Sequence, residues 1–125
     1  MKTLKDPAAR REWALARPRC QCCGHDFSEW VRGRTVHHIA KPGRADVPAN
    51  WLCLCVTCHQ AAELLQVIHD GRRVTKLPLA LCLALKRRAD PDEYDPEILT
   101  RLYGQRLPDV ADISEELERE WRARR

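Results

Sequence analysis

An α+β fold is predicted for this 125-residue chain by three observations. Two Cys-x-x-Cys pairs, Cys20/Cys23 and Cys55/Cys58, bracket a segment of 31 residues. That segment contains a stretch rich in β-branched residues, Val31 to Ile39, and a second short strand candidate, Asn50 to Leu54. Behind the second pair, Ala61, Leu64, Leu65 and Ile68 recur at the i, i+3, i+4, i+7 spacing of one helix face.

The remaining elements follow from punctuation. Asp6-Pro7 supplies an N-cap and a proline at the first helical position, opening a helix that Pro18 closes, with Ala9, Trp13 and Ala16 on its inner face. Cys20-Gln21-Cys22-Cys23-Gly24 is a tight knuckle, and Lys41-Pro42-Gly43-Arg44 marks a turn. The helix that starts near His59 is closed by Gly71; His69 falls late in it, where a cation suits the helix dipole, and has no chemistry assigned. Pro78 to Arg88 is a further helix, apolar nearly all round and so buried or facing a partner. Asp90 to Pro96 has the composition of a linker, and two helical pieces follow near Glu97–Tyr103 and Ser114–Arg125. The domain reading is a body over residues 1–89 and an acidic helical extension over 90–125.

Charge divides along the same line. Residues 1–89 carry 16 Lys and Arg against 7 Asp and Glu, and residues 90–125 carry 6 against 11. A basic body suits a polyanion such as nucleic acid; an acidic tail suits a protein partner or a masking role. The hydrophobic fraction of 44% excludes a disordered chain. The longest apolar run, Leu77 to Leu85, has nine residues and a proline, where a membrane span needs about 20. The first residues lack the apolar core of a signal peptide, so a cytoplasmic location is expected.

In that setting seven cysteines, an odd number, point to metal rather than disulfides. Four thiolates presented by two knuckles make a closed tetrahedral zinc site, which supplies stability that a small core lacks. Cys20, Cys23, Cys55 and Cys58 are the expected ligands. Cys22 and Cys53 are expected as neighbours in the knuckle or core, and Cys82 as a buried small hydrophobe.

Between and after the knuckles stand His37-His38-Ile39, Pro42, Asn50 and, directly after the last cysteine, His59. With twelve positions from His38 to Asn50 and nine from Asn50 to His59, this order resembles the HNH endonuclease family in its zinc-stapled form. The resemblance covers roughly residues 18–72. It implies a ββα-metal core with flanking helices, and a metal-dependent DNA endonuclease in which His38 is the general base and Asn50 its orienting partner. His37 and His59 would then bind a catalytic Mg²⁺, Mn²⁺ or other divalent ion separate from the zinc. Glu63, at i+4 from His59, takes the place where members of the family often have a histidine, and a carboxylate is a competent ligand for hard cations. Adjacent residues of a strand face opposite ways, so His37 and His38 cannot both face one ion, and which of them is base and which is ligand stays open. Small stand-alone members occur in phage genomes near packaging genes, so the resemblance extends to a terminase as protein partner.

Arg17, Arg19, Arg32, Arg34, Lys41 and Arg44 flank the motif and are candidates for phosphate contacts, which would carry little sequence preference. Trp30 and Trp51 are expected in the core and His25 in an exposed loop. Two other functions remain: a zinc-stabilised binding module without catalysis, and a thiol redox protein, which lacks the βαβ context its motif needs.

Overall fold

The computed structural model describes residues 4–29, 33–63, 66–69, 72–75, 79–107 and 119. Helix α1 (Pro7–Leu15) begins where the sequence places it, with the Asp6 carboxylate accepting from the amide of Ala9 at 3.1 Å. The helix stops at Leu15, so its buried pair is Trp13 and Ala14, and Ala16 is exposed.

Strands β1 (Arg34–His38) and β2 (Trp51–Cys55) pair antiparallel, with Val36 opposite Cys53 and His37 opposite Leu52. Helix α2 (Val56–Glu63) follows β2 without a break, which completes a β–β–α order. Directly opposed residues share a face of the sheet. Thr35, His37, Leu52 and Leu54 therefore look to one side, and Val36, His38, Trp51 and Cys53 to the other. The first side carries α2, α3 (Leu79–Ala89) and α4 (Pro96–Tyr103), packing Leu52 and Leu54 with Leu81, Leu83, Leu85 and Leu99. The second side carries α1, where Trp13 and Trp51 meet at 5.5 Å between ring centroids.

The helix expected to run from His59 to Gly71 ends at Glu63. Strands β3 (Gln66–His69) and β4 (Arg72–Thr75) follow and pair as an antiparallel hairpin, with His69 opposite Arg72. Ile68 and His69 thus belong to a strand. Val67, Ile68, Val74 and Thr75 are β-branched, and that preference outweighs the apolar spacing. Trp30, Arg32, Leu64, Leu65 and Gly71 lie outside the described residues, as does the helix expected over 114–125 apart from the helical Arg119.

Helix α3 forms as expected and is buried from Leu81 through Lys86. Lys86 is fully buried, its Nζ 2.8 Å from Glu93 and 3.6 Å from Asp90. Arg17 pairs with the same two acids at 3.0 and 3.2 Å and stacks 3.7 Å over the Trp13 ring. The acids of the Asp90–Pro96 segment therefore hold α1 to the end of α3. Among the described residues no helix is long and apolar enough to cross a membrane.

Candidate metal centres

The first centre joins the two cysteine knuckles. The Sγ atoms of Cys20, Cys23, Cys55 and Cys58 lie within 4.8 Å of one another, and those of Cys23 and Cys55 are 3.8 Å apart. Sulfurs about 2.3 Å from one tetrahedral ion stand about 3.8 Å from each other, so the cluster can hold zinc. None of the seven cysteines forms a disulfide.

Each knuckle is set by its backbone. The amide of Cys23 donates to Cys20 Sγ, and that of Cys58 to Cys55 Sγ, both at 3.4 Å. Gly24, at φ +78°, closes the first knuckle with its amide on Cys20 O, a conformation that favours glycine. Gln21 docks this knuckle on the outer edge of β2: its amide donates to Cys53 O and its Oε1 accepts from Cys53 N, both at 2.8 Å.

The four thiols perturb one another's protonation. Hydrogen bonds from Cys20, Cys55 and Cys58 drive the Cys23 thiol far below its usual range, while bonding within the cluster pushes Cys55 and Cys58 far above theirs. Four thiolates crowded together need a dication to stay charged. Cys22 and Cys53 are buried outside the tetrad, and burial pushes the Cys53 and Cys82 thiols up to about 12.

The second centre is made by β1 and α2. His37 Nδ1 lies 3.2 Å from Glu63 Oε1, and His59 Nε2 lies 3.3 Å from the same oxygen. Ligands about 2.1 Å from one ion at 90–109° stand about 3.0–3.4 Å apart, so these three atoms can hold a divalent ion. Burial, reinforced by Lys41 and His59, pushes His37 down to about 3, and burial lowers His59 as well. Both imidazoles are therefore neutral near pH 7 and have a lone pair to offer. Burial raises the Glu63 carboxyl, but Lys41, His37 and His59 outweigh it and hold the group well below the usual carboxylate range.

Thr35, which the sequence did not single out, orients His59. Its hydroxyl donates to Leu54 O at 2.7 Å and so accepts from His59 Nδ1 at 2.9 Å. That assignment leaves the lone pair on Nε2, the atom facing Glu63, as a ligating histidine requires.

His38 faces the opposite side of β1, as strand alternation demands. The Asn50 side chain hydrogen-bonds elsewhere. The Asn50 side chain is fully buried; its Oδ1 accepts from Ala40 N at 2.6 Å, and its Nδ2 donates to Ala40 O and Ala45 O at 3.2 and 3.0 Å. These bonds fold the loop that presents the next residue, Asp46, and Asp46 Oδ1 is the group 2.7 Å from His38 Nε2. Asp46 also accepts from Arg10, from Trp51 Nε1 at 3.2 Å and from the Asp6 amide at 2.8 Å. Against burial, which raises it, these donors hold the Asp46 carboxyl well below its usual range. An ionised Asp46 keeps the proton on His38 Nε2 and leaves Nδ1 as the basic atom. Burial also lowers the His38 pKa, more than Asp46 raises it. In the sequence Asp46 is the only acid between Glu29 and Glu63, a signal available without the fold.

A cleft of about 740 Å³ opens along β1, with His38 and Asp46 on one side and His59 and Glu63 on the other. Lys5, Arg10, Arg11, Arg34, Lys41 and Arg44 line it. Of the cations expected beside phosphate, Arg34, Lys41 and Arg44 are there. Arg17 is committed to Asp90 and Glu93, and Arg19 to Asp26 and Gly24 O. Lys5, Arg10 and Arg11 come from the N-terminal segment, which the sequence did not connect with the site. His25, expected in an exposed loop, is part-buried with its ring edge-on to Phe27.

No family model, curated protein or solved structure matches the chain. The likeness to the HNH family therefore stands on the motif residues alone, and the placement of those residues is compatible with a ββα-metal fold.

Proposed function

We propose that this chain is a metal-dependent DNA endonuclease of the HNH type, hydrolysing phosphodiester bonds on a ββα-metal core stapled by zinc. One observation carries the reading: β1 presents a metal-ligand set on one face and a histidine–carboxylate pair on the other, and both border the same cationic cleft. A binding module needs the cations alone.

The chain's own groups divide the work. His38 Nδ1 takes the proton of the attacking water, and Asp46 holds the Nε2 proton and balances the imidazolium that forms. Asn50 acts on this pair through the loop it folds. His37, His59 and Glu63 would hold a divalent ion such as Mg²⁺ or Mn²⁺, which would supply charge neutralisation during phosphodiester hydrolysis. Arg11, Arg34 and Arg44 attract the DNA backbone without reading sequence. The geometry also supports His38 as base and His37 as ligand, since His37 is the one whose Nδ1 meets Glu63 at 3.2 Å and whose ring centroid lies 5.4 Å from that of His59.

Plasmid cleavage tests the reading, comparing wild type with His38→Ala in EDTA, Mg²⁺, Mn²⁺ and Ni²⁺. The expected result is loss of supercoiled plasmid by wild type only, and only with metal. DNA binding without cleavage under any metal would replace the nuclease by the catalytically silent binding module.

A further inference from the structure

Lys41 has no part in the mechanism above, yet it touches the centre of the site. Its Nζ binds Glu63 Oε1, the same oxygen that faces His37 Nδ1 at 3.2 Å and His59 Nε2 at 3.3 Å. The backbone that carries it is fixed. Asn50 bonds both polar backbone groups of Ala40, the Arg44 amide closes on Lys41 O at 3.0 Å, and Lys5 Nζ holds the carbonyls of Gly43 and Arg44 at 2.6 and 2.9 Å. The loop so held includes two residues in the left-handed region, Gly43 at φ +73° and Arg44 at φ +48°. A strained non-glycine conformation persists only where its surroundings enforce it. Lys41 is thus a flexible four-carbon stem with a point charge at its tip, on a rigid base, beside the cleft.

We propose that Lys41 couples metal binding to phosphate binding: a divalent ion on His37, His59 and Glu63 competes with the Lys41 ammonium for Glu63, and the displaced ammonium moves to a phosphate oxygen in the cleft. The proposal rests on reading that residue set as a metal site in a phosphodiester-binding cleft. Two cations on one carboxylate oxygen, in a half-buried site, repel strongly. The ammonium, once released, gains most from the polyanion in the cleft. The coupling is reciprocal, so DNA tightens metal binding by the factor by which metal tightens DNA binding. It also keeps the Glu63 carboxylate paired with a cation in the absence of metal.

Titration of the full chain with Mn²⁺ tests this, with and without a short DNA duplex, in the His38→Ala background so that no DNA is cut. Lys41→Met is compared with Arg11→Met, which removes a cleft charge that does not touch Glu63. Lys41→Met is expected to bind Mn²⁺ about fivefold or more tightly than its parent without DNA, and to gain less from added DNA. Arg11→Met is expected to weaken DNA binding and to change Mn²⁺ affinity by much less. Equal Mn²⁺ affinity in Lys41→Met and its parent, or equal tightening in Lys41→Met and Arg11→Met, would overturn the coupling. Failure of all variants to bind Mn²⁺ would overturn the metal site and the coupling together. Tighter Mn²⁺ binding by Lys41→Met in a protein whose parent wild type never cleaves DNA would support the coupling and reject the nuclease.

Discussion

Cys58 and His59 are neighbours in the chain, yet they serve two donor clusters that differ in every physical respect. The cysteine cluster ties two distant knuckles together inside the core, with Cys20, Cys55 and Cys58 no more than 3% exposed. The histidine–glutamate cluster borders the cleft, with the His59 and Glu63 side chains 27% and 35% exposed. The first has four soft donors and closed coordination; the second has three borderline or hard donors and room for more ligands. On the proposed reading, that is the difference between a metal that folds a protein and a metal that meets a substrate. The first cluster joins segments 32 residues apart; the second spans one strand and the helix packed on it, which the core already holds in place.

The largest expected effect breaks the first cluster. Cys55→Ser should abolish folding, because metal-linked folding free energy at such sites is on the order of 10 kcal/mol; far-UV circular dichroism and zinc content check it. Glu63→Gln should keep both the helical signal and the zinc while losing cleavage.

Next in size are the groups on the far face of β1. His38→Ala should lower cleavage by on the order of 10²- to 10⁴-fold with an unchanged melting curve. Asp46→Asn should approach the same loss, since the amide no longer fixes the productive tautomer of His38; single-turnover cleavage measures both. Asn50→Ala should differ in kind, lowering the melting temperature as well as the rate, because its three bonds hold the loop.

A buried charged cluster with no role for metal sharpens the contrast. Glu93→Ala removes the nearest partner of the fully buried Lys86 and should cost about 1–3 kcal/mol in denaturant unfolding, without affecting zinc content or cleavage.

The smallest effect is a pH dependence. Burial raises the Asp90 carboxyl, but Arg17, Gln21 and Lys86 outweigh it and leave its pKa below the ordinary value. A carboxylate depressed in the folded state stabilises above its unfolded pKa, about 3.9, and loses that contribution as pH falls through its folded value. The advantage of wild type over Asp90→Asn should therefore be full near pH 7 and shrink as pH falls below about 4.

Much of this was legible in the residues. Paired cysteines at a two-residue spacing named the tetrad, because a knuckle is a local structure with a fixed shape. The Asp6-Pro7 start of α1 and the strand alternation that separates His37 from His38 are equally local. The hairpin at 66–75 was hidden because Ala61, Leu64, Leu65 and Ile68 fit a helix face while Val67, Ile68 and Val74 fit strands, and pairing between strands decided it. Asp46 was missed for a different reason. Spacing along a chain brings Asn50 near His38, but the atoms each side chain meets depend on a loop held by Lys5 and Arg10 from about 35–40 residues away. The spacing placed His38 on β1; that its hydrogen-bond partner is Asp46, while Asn50 bonds Ala40 and Ala45, follows from the loop alone.

The most direct test of two clusters with two tasks is a mild EDTA treatment of the purified protein, followed by zinc content, circular dichroism and plasmid cleavage on one sample. The account predicts that cleavage disappears, one zinc per chain and the helical signal remain, and Mn²⁺ restores cleavage. Cleavage that survives EDTA, or that is lost together with zinc and fold and is not restored by Mn²⁺, would contradict it.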